Sequence, residues 1–419
     1  IERVHISRIR VPIKYAYIGS RHVLRDYEKV IVRLYADNGL VGIGEAPGRP
    51  PVMEELKRIS AIAVGHRIPA CSLADGTYPG VLFRERAVPE RIAAGGFEMA
   101  MWDLIGQEQG KSVGELLGRP CRTEVDMVCE LSAGPFPCTV EDHELKAFFS
   151  DIDNTARVVE HALEQIEEYG YHALKLKSIG RSIEWDSRVM TMLREALPSG
   201  FNLRLDPNGA YSAEDAVELC NRLEGLALQW FEDPTATIPG MTALRQKVNA
   251  RLATNMCVIS FEDIDLRGGL EAVDVVGVDA FHWAGLGNAR AAVDVCRRGE
   301  RDVFMHCYFD LGITTSAMLQ LASTVPDLTS GMDTIIYLQG VDITQAGESR
   351  VTDGKLPVPS APGIGVVLDE RIVSELLIEE ADYSSENVPV SDQRSVLDVL
   401  SECLVMSKAQ RGIERCGNG

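Results

Sequence analysis

Polar residues stand at nearly even intervals through the middle of this 419-residue chain, each at the end of a short apolar run. The intervals are about 23 to 29 residues, close to the roughly 30 residues that a strand, a helix and their connecting loops use. The residues are Lys177, Asp206, Glu232, Asn255, Asp279 and His306. The spacing predicts a repeated strand–helix unit in which one polar side chain lies at the carboxyl end of each strand.

Two more β-rich runs flank these six repeats, TEVDMVCELSA from residue 123 and DTIIYL at 333–338. Amphipathic helical stretches follow most of the runs, and strands that alternate with helices favour a parallel sheet. Eight such units in about 200 residues predict a closed barrel, whose active site is built at the carboxyl ends of the strands. We therefore expect an α/β fold with a (β/α)8 barrel of the TIM type as the catalytic domain at 123–339.

The amino-terminal part has a different pattern. Residues 1–46 alternate like three antiparallel strands with a hairpin turn at ADNG, and residues 51–118 show helical periodicity. These features predict an α+β capping domain over residues 1–122. The polar stretch YAYIGSRHVLRDYE between the first two strands carries Arg21 and His22. It is either a solvated loop or a lid that supplies positive charge to an anion.

The carboxy-terminal part, residues 340–419, is rich in glycine and proline where it begins. A helix is expected near 369–379, and an amphipathic helix near 395–406. We expect this part to pack back on the capping domain and complete it.

Composition narrows the classes of partner. The net charge of −20 argues against nucleic acid, because neutralising phosphates requires clustered Lys and Arg. Ten scattered cysteines without a CxxC pair are typical of a reduced, cytoplasmic protein. No apolar run has the length of a membrane span, and the amino terminus has no apolar signal region. An anionic substrate would therefore have to be met by local positive charge or by a metal ion.

Three of the evenly spaced residues form a candidate metal site. Asp206, Glu232 and Asn255 offer only oxygen atoms, from three successive strands. Hard oxygen ligands without His or Cys suit Mg²⁺, which also keeps coordination positions open for substrate oxygens. The sequence therefore predicts Mg²⁺ as the cofactor.

Two lysines and a histidine are the candidate acid–base groups. Lys175 and Lys177 lie two apart on one strand and share a face, so we expect each to lower the pKa of the other towards that of a useful base. Asp279 and His306 lie on neighbouring strands and are expected to form a dyad in which the carboxylate favours protonated imidazole. We interpret the nearby His282 as a packed or surface residue.

Lys177 and His306 are expected to face each other across the barrel mouth with the metal between them. This arrangement suits removal of a proton alpha to a carboxylate, with stabilisation of the resulting ene-diolate. Two opposed bases would also serve a racemase or epimerase. A protein of another class, which binds a carboxylate without catalysis, is a third alternative.

At these residues the chain resembles the enolase superfamily, in particular the glucarate dehydratase-like subgroup of its mandelate racemase and muconate lactonizing enzyme branch. The resemblance extends over about residues 1–370 and is carried by His306 and by the motifs GLVGIGE, AMWDLIGQ, LKLK, LDPNGAYS, FEDP, LATNMCV and DAFHW. Asn255 within ATNM is the most specific feature, since asparagine as the third metal ligand marks the glucarate dehydratases of that family.

The resemblance implies an acid-sugar dehydratase that removes the alpha proton, expels the neighbouring hydroxyl and gives a 2-keto-3-deoxy acid. It implies that Lys177 is the base and Lys175 its electrostatic helper, with the metal ligands and the dyad as named above. The candidates for substrate contact are Asn208, Arg21, His22 and Tyr308. We expect a small-molecule carboxylate as substrate and a homo-oligomeric protein, with no nucleic-acid or membrane partner.

The chain also departs from that family's pattern at positions that contact substrate. Cys307 and Tyr308 stand where the family has a polar pair, and Ile335 replaces a histidine. Glu130 replaces a tyrosine on the first barrel strand, and the carboxy-terminal segment has no counterpart of a substrate-binding arginine. These departures favour a dehydratase of a different acid, such as a monocarboxylate sugar acid.

Overall fold

The computed structural model of the protein describes residues 1–68, 88–265, 267–345, 350–384 and 396. Its strands are β1 (Arg3–Ile18), β2 (Val23–Tyr35), β3 (Val41–Pro47), β4 (Glu124–Leu131), β5 (Ala173–Lys177), β6 (Asn202–Asp206), β7 (Trp230–Glu232), β8 (Leu252–Thr254), β9 (Val275–Val278), β10 (Asp302–Met305), β11 (Met332–Thr334), β12 (Lys355–Pro357) and β13 (Leu377–Ser384).

The helices pack around these strands. They are α1 (Pro50–Ala63), α2 (Val88–Gln109), α3 (Val113–Leu117), α4 (Asp142–Ser150), α5 (Thr155–Tyr169), α6 (Ile183–Ala196), α7 (Ala213–Leu223), α8 (Ile238–Arg245), α9 (Phe261–Asp265), α10 (Gly269–Ala272), α11 (Leu286–Arg298), α12 (Gly312–Ser323) and α13 (Glu370–Leu376). Of the helices in the described ranges, none combines the length and the apolarity that a membrane crossing requires.

Strands β4 to β11 lie side by side in chain order, and β11 pairs in parallel with β4 to close the barrel. The predicted (β/α)8 barrel is therefore confirmed. The evenly spaced polar residues either end a barrel strand or follow it directly, and they are Lys177, Asp206, Glu232, Asn255, Asp279 and His306. Their spacing reflects the barrel repeat, which brings all of them to its carboxyl end.

The barrel interior is filled in layers, because alternate residues of each strand point inward. An apolar layer of Trp230, Ala253, Val275 and Phe304 is fully buried. The guanidinium of Arg204 lies 3.9 Å from the centroid of the Trp230 ring. Strands β7, β8 and β10 therefore each place one apolar residue inside the barrel. The polar residue two positions later lies at the barrel mouth, and these residues are Glu232, Asn255 and His306.

The capping sheet is antiparallel, with the order β13-β1-β2-β3. Strands β1 and β2 are longer than the sequence suggests, since they pair as far as Ile18 and Val23. Only residues 19–22 connect them, so most of the stretch interpreted as a loop or lid is β-ladder. Arg21 and His22 lie on this short connection and are exposed.

The carboxy-terminal part contacts both domains. Strand β12 pairs antiparallel with β4 of the barrel, and β13 pairs antiparallel with β1 of the cap. The helix expected at 369–379 ends earlier, at Leu376, and the chain continues as β13. The helix expected at 395–406 lies outside the described residues apart from Val396.

Charge complementarity explains why the chain pairs as a strand beyond Leu376. Strand β13 is acidic and lies against basic residues of β1. Arg3 Nη2 is 2.7 Å from Asp382 Oδ2, and Arg8 Nη1 is 3.1 Å from Glu379 Oε2. Opposite charges on neighbouring strands favour this pairing.

Carboxylates of the cap bind the amino termini of two barrel helices. Glu98 of α2 accepts hydrogen bonds from Leu286 N at 2.5 Å and Gly287 N at 3.2 Å, at the start of α11. Glu45 of β3 accepts from Leu311 N at 3.0 Å and Thr314 N at 3.1 Å, at the start of α12. Negative charge at a helix amino terminus is stabilising, so these contacts fix the cap over the barrel mouth.

Replacing Glu98 with alanine should destabilise the protein. The variant would leave two buried backbone N–H groups without their carboxylate acceptor, which costs about 1–3 kcal/mol. Chemical denaturation of wild type and Glu98→Ala measures the difference in the free energy of unfolding.

The matched control is Glu108→Ala, which removes an exposed glutamate from the same helix. It should change the free energy of unfolding by less than about 0.5 kcal/mol, as is usual for surface sites. Equal effects of the two substitutions would contradict the capping role of Glu98.

Candidate active site

A cavity of about 620 Å³ lies between the cap and the carboxyl end of the barrel. The predicted site residues that line it are Arg21, His22, Lys177, Asn208, Asn255, His306 and Tyr308. The other predicted residues are buried next to it, and they are Lys175, Asp206, Glu232 and Asp279. The fold therefore gathers the candidate residues into one region that both domains enclose.

Lys175 lies at the centre of a cluster of buried carboxylates. Its Nζ is 2.6 Å from Asp333 Oδ2 and 3.1 Å from both Glu232 Oε1 and Glu130 Oε2. Asp206 Oδ2 is slightly farther, at 3.9 Å. Burial alone would lower the pKa of Lys175, but Asp333 and Glu232 raise it above the usual value for lysine.

Lys177 has two carboxylate partners. Its Nζ is 2.6 Å from Asp206 Oδ2 and 3.4 Å from Glu130 Oε1. Burial opposes the charged form, yet Asp206 and Glu130 raise the pKa of Lys177 well above its ordinary value. Lys177 does lower the pKa of Lys175, but the surrounding carboxylates dominate. The expectation that the pairing brings the lysines towards the pKa of a useful base is therefore wrong for this arrangement.

The predicted Mg²⁺ ligands fit a hard cation. Asp206 and Glu232 are fully buried carboxylates on the adjacent strands β6 and β7. Asn255 is also buried, and its Oδ1 accepts no hydrogen bond within the described part of the chain. A buried amide oxygen without a donor fits a metal ligand, since leaving it unpaired is costly.

A second group of potential ligands lies close by. One ligand atom each from Glu130, His306 and Asp333 lies within 4.8 Å of the others. Asp333 in this group already bonds Lys175 at 2.6 Å. The all-oxygen set of Asp206, Glu232 and Asn255 suits Mg²⁺ better than a set that contains histidine.

The predicted dyad is not the pairing that the structure contains. Asp279 Oδ2 lies 2.8 Å from His282 Nδ1, and Asp279 Oδ1 accepts hydrogen bonds at 2.7 Å from the backbone N–H groups of Phe281 and His282. The turn after β9 brings the residue three positions on back to the carboxylate. His282 is thus the direct partner of Asp279, and it lines the cavity rather than serving only as a packed residue.

His306 has other neighbours. Its Nε2 accepts from the side-chain amide of Asn255 at 2.6 Å, and its Nδ1 lies 3.7 Å from Asp333 Oδ2. Burial lowers the pKa of His306, and the nearby charge of Lys175 lowers it further. Asp333 raises the pKa but does not outweigh these two effects. The expectation of a protonated imidazole is therefore not met in this arrangement.

The predicted substrate contacts surround the cavity. The backbone N–H of Asn208 donates to Asp206 Oδ1 at 2.8 Å, and its side-chain amide donates to Oδ2 at 3.1 Å. Asn208 therefore orients a proposed metal ligand as well as facing the cavity. The ring of Tyr308 lies 5.4 Å from the guanidinium of Arg49, a cavity residue that the motifs did not indicate.

Asp233 is a further residue that sequence reasoning did not single out. Its carboxylate accepts hydrogen bonds from Asn255 N at 2.8 Å and Thr254 Oγ1 at 2.5 Å. Burial, with Asp206 nearby, raises the pKa of Asp233 to about 6. Asp233 thus holds the loop that carries Asn255, and its place directly after Glu232 was the available signal.

The protein is a two-domain barrel protein, in which a separate α+β domain covers the polar carboxyl end of the barrel. Family models identify the two parts of this chain. Residues 3–118 match the mandelate racemase / muconate lactonizing enzyme N-terminal domain, and residues 157–372 match the enolase C-terminal domain-like family. The chain belongs to the enolase superfamily, in its mandelate racemase and muconate lactonizing enzyme branch, as the motifs indicated.

Individual relatives differ in the reactions their names describe. A probable glucarate dehydratase of Streptomyces coelicolor is 33% identical over 88% of this chain and 89% of its own length. An N-succinylamino acid racemase of Thermus thermophilus is 27% identical over 90% and 97%. A crystal structure of a Thermobispora bispora enolase complexed with magnesium and formate is 27% identical, with a TM-score of 0.76 over 96% of each chain.

Replacing Asn255 with alanine should weaken Mg²⁺ binding tenfold or more, because the substitution removes one of three oxygen donors. Isothermal titration calorimetry with MgCl₂ measures the dissociation constant without depending on turnover. Asn202→Ala, which changes an exposed asparagine at the opposite end of the barrel, is the matched control and should retain wild-type affinity.

Wild-type Mg²⁺ affinity in Asn255→Ala would show that the ligand assignment is wrong. If Glu130→Gln abolished binding while Asn255→Ala did not, the cation would belong to the cluster of Glu130, His306 and Asp333.

Proposed function

We propose that the protein is a Mg²⁺-dependent dehydratase of an acid sugar, which gives a 2-keto-3-deoxy acid. One observation carries the proposal. Lys177 on the second barrel strand and His306 on the seventh flank the oxygen donors of the third, fourth and fifth strands, and both line the cavity under the cap. The probable glucarate dehydratase among the relatives supports this reaction.

The chain's own groups can perform each proton transfer. Lys177 takes the proton from the alpha carbon, and the electron pair of that C–H bond forms a double bond to the beta carbon. The bond to the beta-hydroxyl breaks, and the hydroxyl leaves as water with a proton from the imidazolium form of His306. Burial disfavours this form, and Asp333 and Asp279 favour it. The enol product then tautomerises to the 2-keto acid.

Mg²⁺, when bound, supplies positive charge that holds the substrate carboxylate and stabilises the negative charge that develops on it. The ammonium of Lys175, buried next to the same carboxylate ligands, adds positive charge at that end of the site. A base role for Lys177 requires the neutral amine. The ion pair with Asp206 raises the pKa of Lys177. A divalent ion bound to Asp206 would weaken that ion pair and so favour the neutral amine of Lys177.

Asp279 acts with His282 in this proposal. The hydrogen bond between them directs His282 towards the cavity, where it lines the wall together with His306. The two imidazole rings are nearly parallel, with centroids 6.4 Å apart. Asp279 thus influences His306 through the field of its charge and through His282.

A racemase or epimerase is the second candidate. The same two groups on opposite strands could exchange an alpha proton between two faces of the substrate, and one relative is named as an N-succinylamino acid racemase. The two candidates differ in whether the substrate carries a beta leaving group.

A library of acid sugars assayed with Mg²⁺ for 2-keto acid formation tests the proposal. Proton NMR in D₂O records alpha-proton exchange in the same samples. We expect turnover of at least one acid sugar, and a loss of 10²-fold or more in Lys177→Ala and His306→Ala, as is typical for general acid–base groups.

The matched controls are Lys14→Ala and His143→Ala, which remove an exposed lysine and an exposed histidine. Both should keep wild-type turnover. Exchange without keto acid would favour the racemase, and neither exchange nor turnover on any acid sugar would rule out both reactions.

A further inference from the structure

Glu130 is a buried carboxylate in the active-site cavity that the proposed reaction does not use. It lies near the carboxyl end of β4 and is 3% exposed. The hydroxyl of Tyr17, from the cap, donates to its Oε1 at 3.4 Å. Its Oε2 lies 3.1 Å from Lys175 Nζ but accepts no hydrogen bond from the described residues. The contacts of Oε1 to the Tyr17 hydroxyl and to Lys177 Nζ are both long, at 3.4 Å, so this oxygen keeps capacity to accept a hydrogen bond from a ligand in the cavity.

The barrel order fixes which part of a substrate would reach Glu130. Strand β4 is the first barrel strand and lies opposite β8, the fifth, which precedes Asn255. The proposed metal ligands occupy the third, fourth and fifth strands, so the reacting carboxylate is bound on that side. The carbon chain beyond the alpha carbon then extends towards the first strand, past Lys177, which is 3.4 Å from Glu130.

Charge at this end of the cavity is unfavourable for a second carboxylate. Of the cavity-lining lysines in the described residues, Lys177 already pairs with Asp206 at 2.6 Å, and Lys29 already pairs with Glu45 at 2.8 Å. Arg21 and Arg49 lie at the exposed rim. A carboxylate next to Glu130 would place two like charges together in a buried site, where repulsion is strong. A hydroxyl there would instead donate a hydrogen bond to it.

We propose that Glu130 is the specificity-determining residue for the part of the substrate beyond the alpha carbon. It accepts a hydrogen bond from a substrate hydroxyl and excludes a second carboxylate, so the substrates are monocarboxylic polyhydroxy acids rather than diacids. This inference rests on the proposed function for the orientation of the substrate in the site.

Binding of paired four-carbon acids to the Mg²⁺-loaded protein tests the assignment. Threonate and erythronate differ from the tartrates of matching configuration only in carrying a terminal CH₂OH in place of a carboxylate. Calorimetry should show wild type binding the monocarboxylates at least tenfold more tightly. In Glu130→Gln this preference should fall at least tenfold, because the neutral amide no longer repels the second carboxylate.

Two further variants serve as a second test of Glu130 and as a control. Glu130→Tyr is a second neutral replacement that should show the same loss of preference if the amide variant fails to fold. Asp26→Asn, which neutralises a carboxylate at the exposed rim of the same cavity, should keep the wild-type preference within twofold.

An unchanged preference in the neutral variants would overturn the assignment. It would also be overturned if wild type bound tartrates as tightly as the monocarboxylates, or bound no monocarboxylate. Alpha-proton exchange, measured in parallel, separates this outcome from the failure of the proposed function. Selective binding of monocarboxylates without any exchange would contradict the dehydratase and still support the assignment of Glu130.

Discussion

The ion cluster around Lys175 is the interaction on which the site depends. Carboxylates from four barrel strands surround one buried ammonium group, and they belong to Glu130, Asp206, Glu232 and Asp333. Buried charges are tolerated only when they are paired, and removing one partner is strongly destabilising. Lys177 and Arg204 supply two more positive charges, so three cations face four carboxylates. Burial and the neighbouring carboxylates Asp206 and Asp333 also raise the pKa of Glu232 well above its ordinary value. This crowding of carboxylates is the electrostatic reason to expect a bound cation.

The rest of the fold keeps this cluster away from bulk water. The layer of Trp230 and Phe304 fills the barrel interior next to it. The cap lies over the other side, where Glu45 and Glu98 bind the ends of two barrel helices. Electrostatic interactions are stronger where water is excluded, so the architecture and the chemistry are linked. The cap also contributes Tyr17, Arg21 and His22 to the cavity wall, which makes it part of the site.

The sequence predicted the positions of these groups better than their partners. Position follows from the barrel repeat. Partners depend on contacts between distant segments. Asp333 and Glu232 raise the pKa of Lys175, and Asp206 and Glu130 raise that of Lys177. These carboxylates come from four different strands, and together they reverse the shift expected from two neighbouring lysines. The turn after β9 makes His282, and not His306, the hydrogen-bond partner of Asp279. The acidic residues of β13 pair as a strand with basic β1. Neither contact follows from periodicity.

Anomalous X-ray scattering from crystals grown with Mn²⁺ in place of Mg²⁺ tests the central claim most directly. The account predicts one strong peak at the carboxyl end of the barrel, bonded to Asp206, Glu232 and the Oδ1 of Asn255. A peak bonded instead to Glu130, His306 and Asp333, or no peak at this end of the barrel, would contradict it.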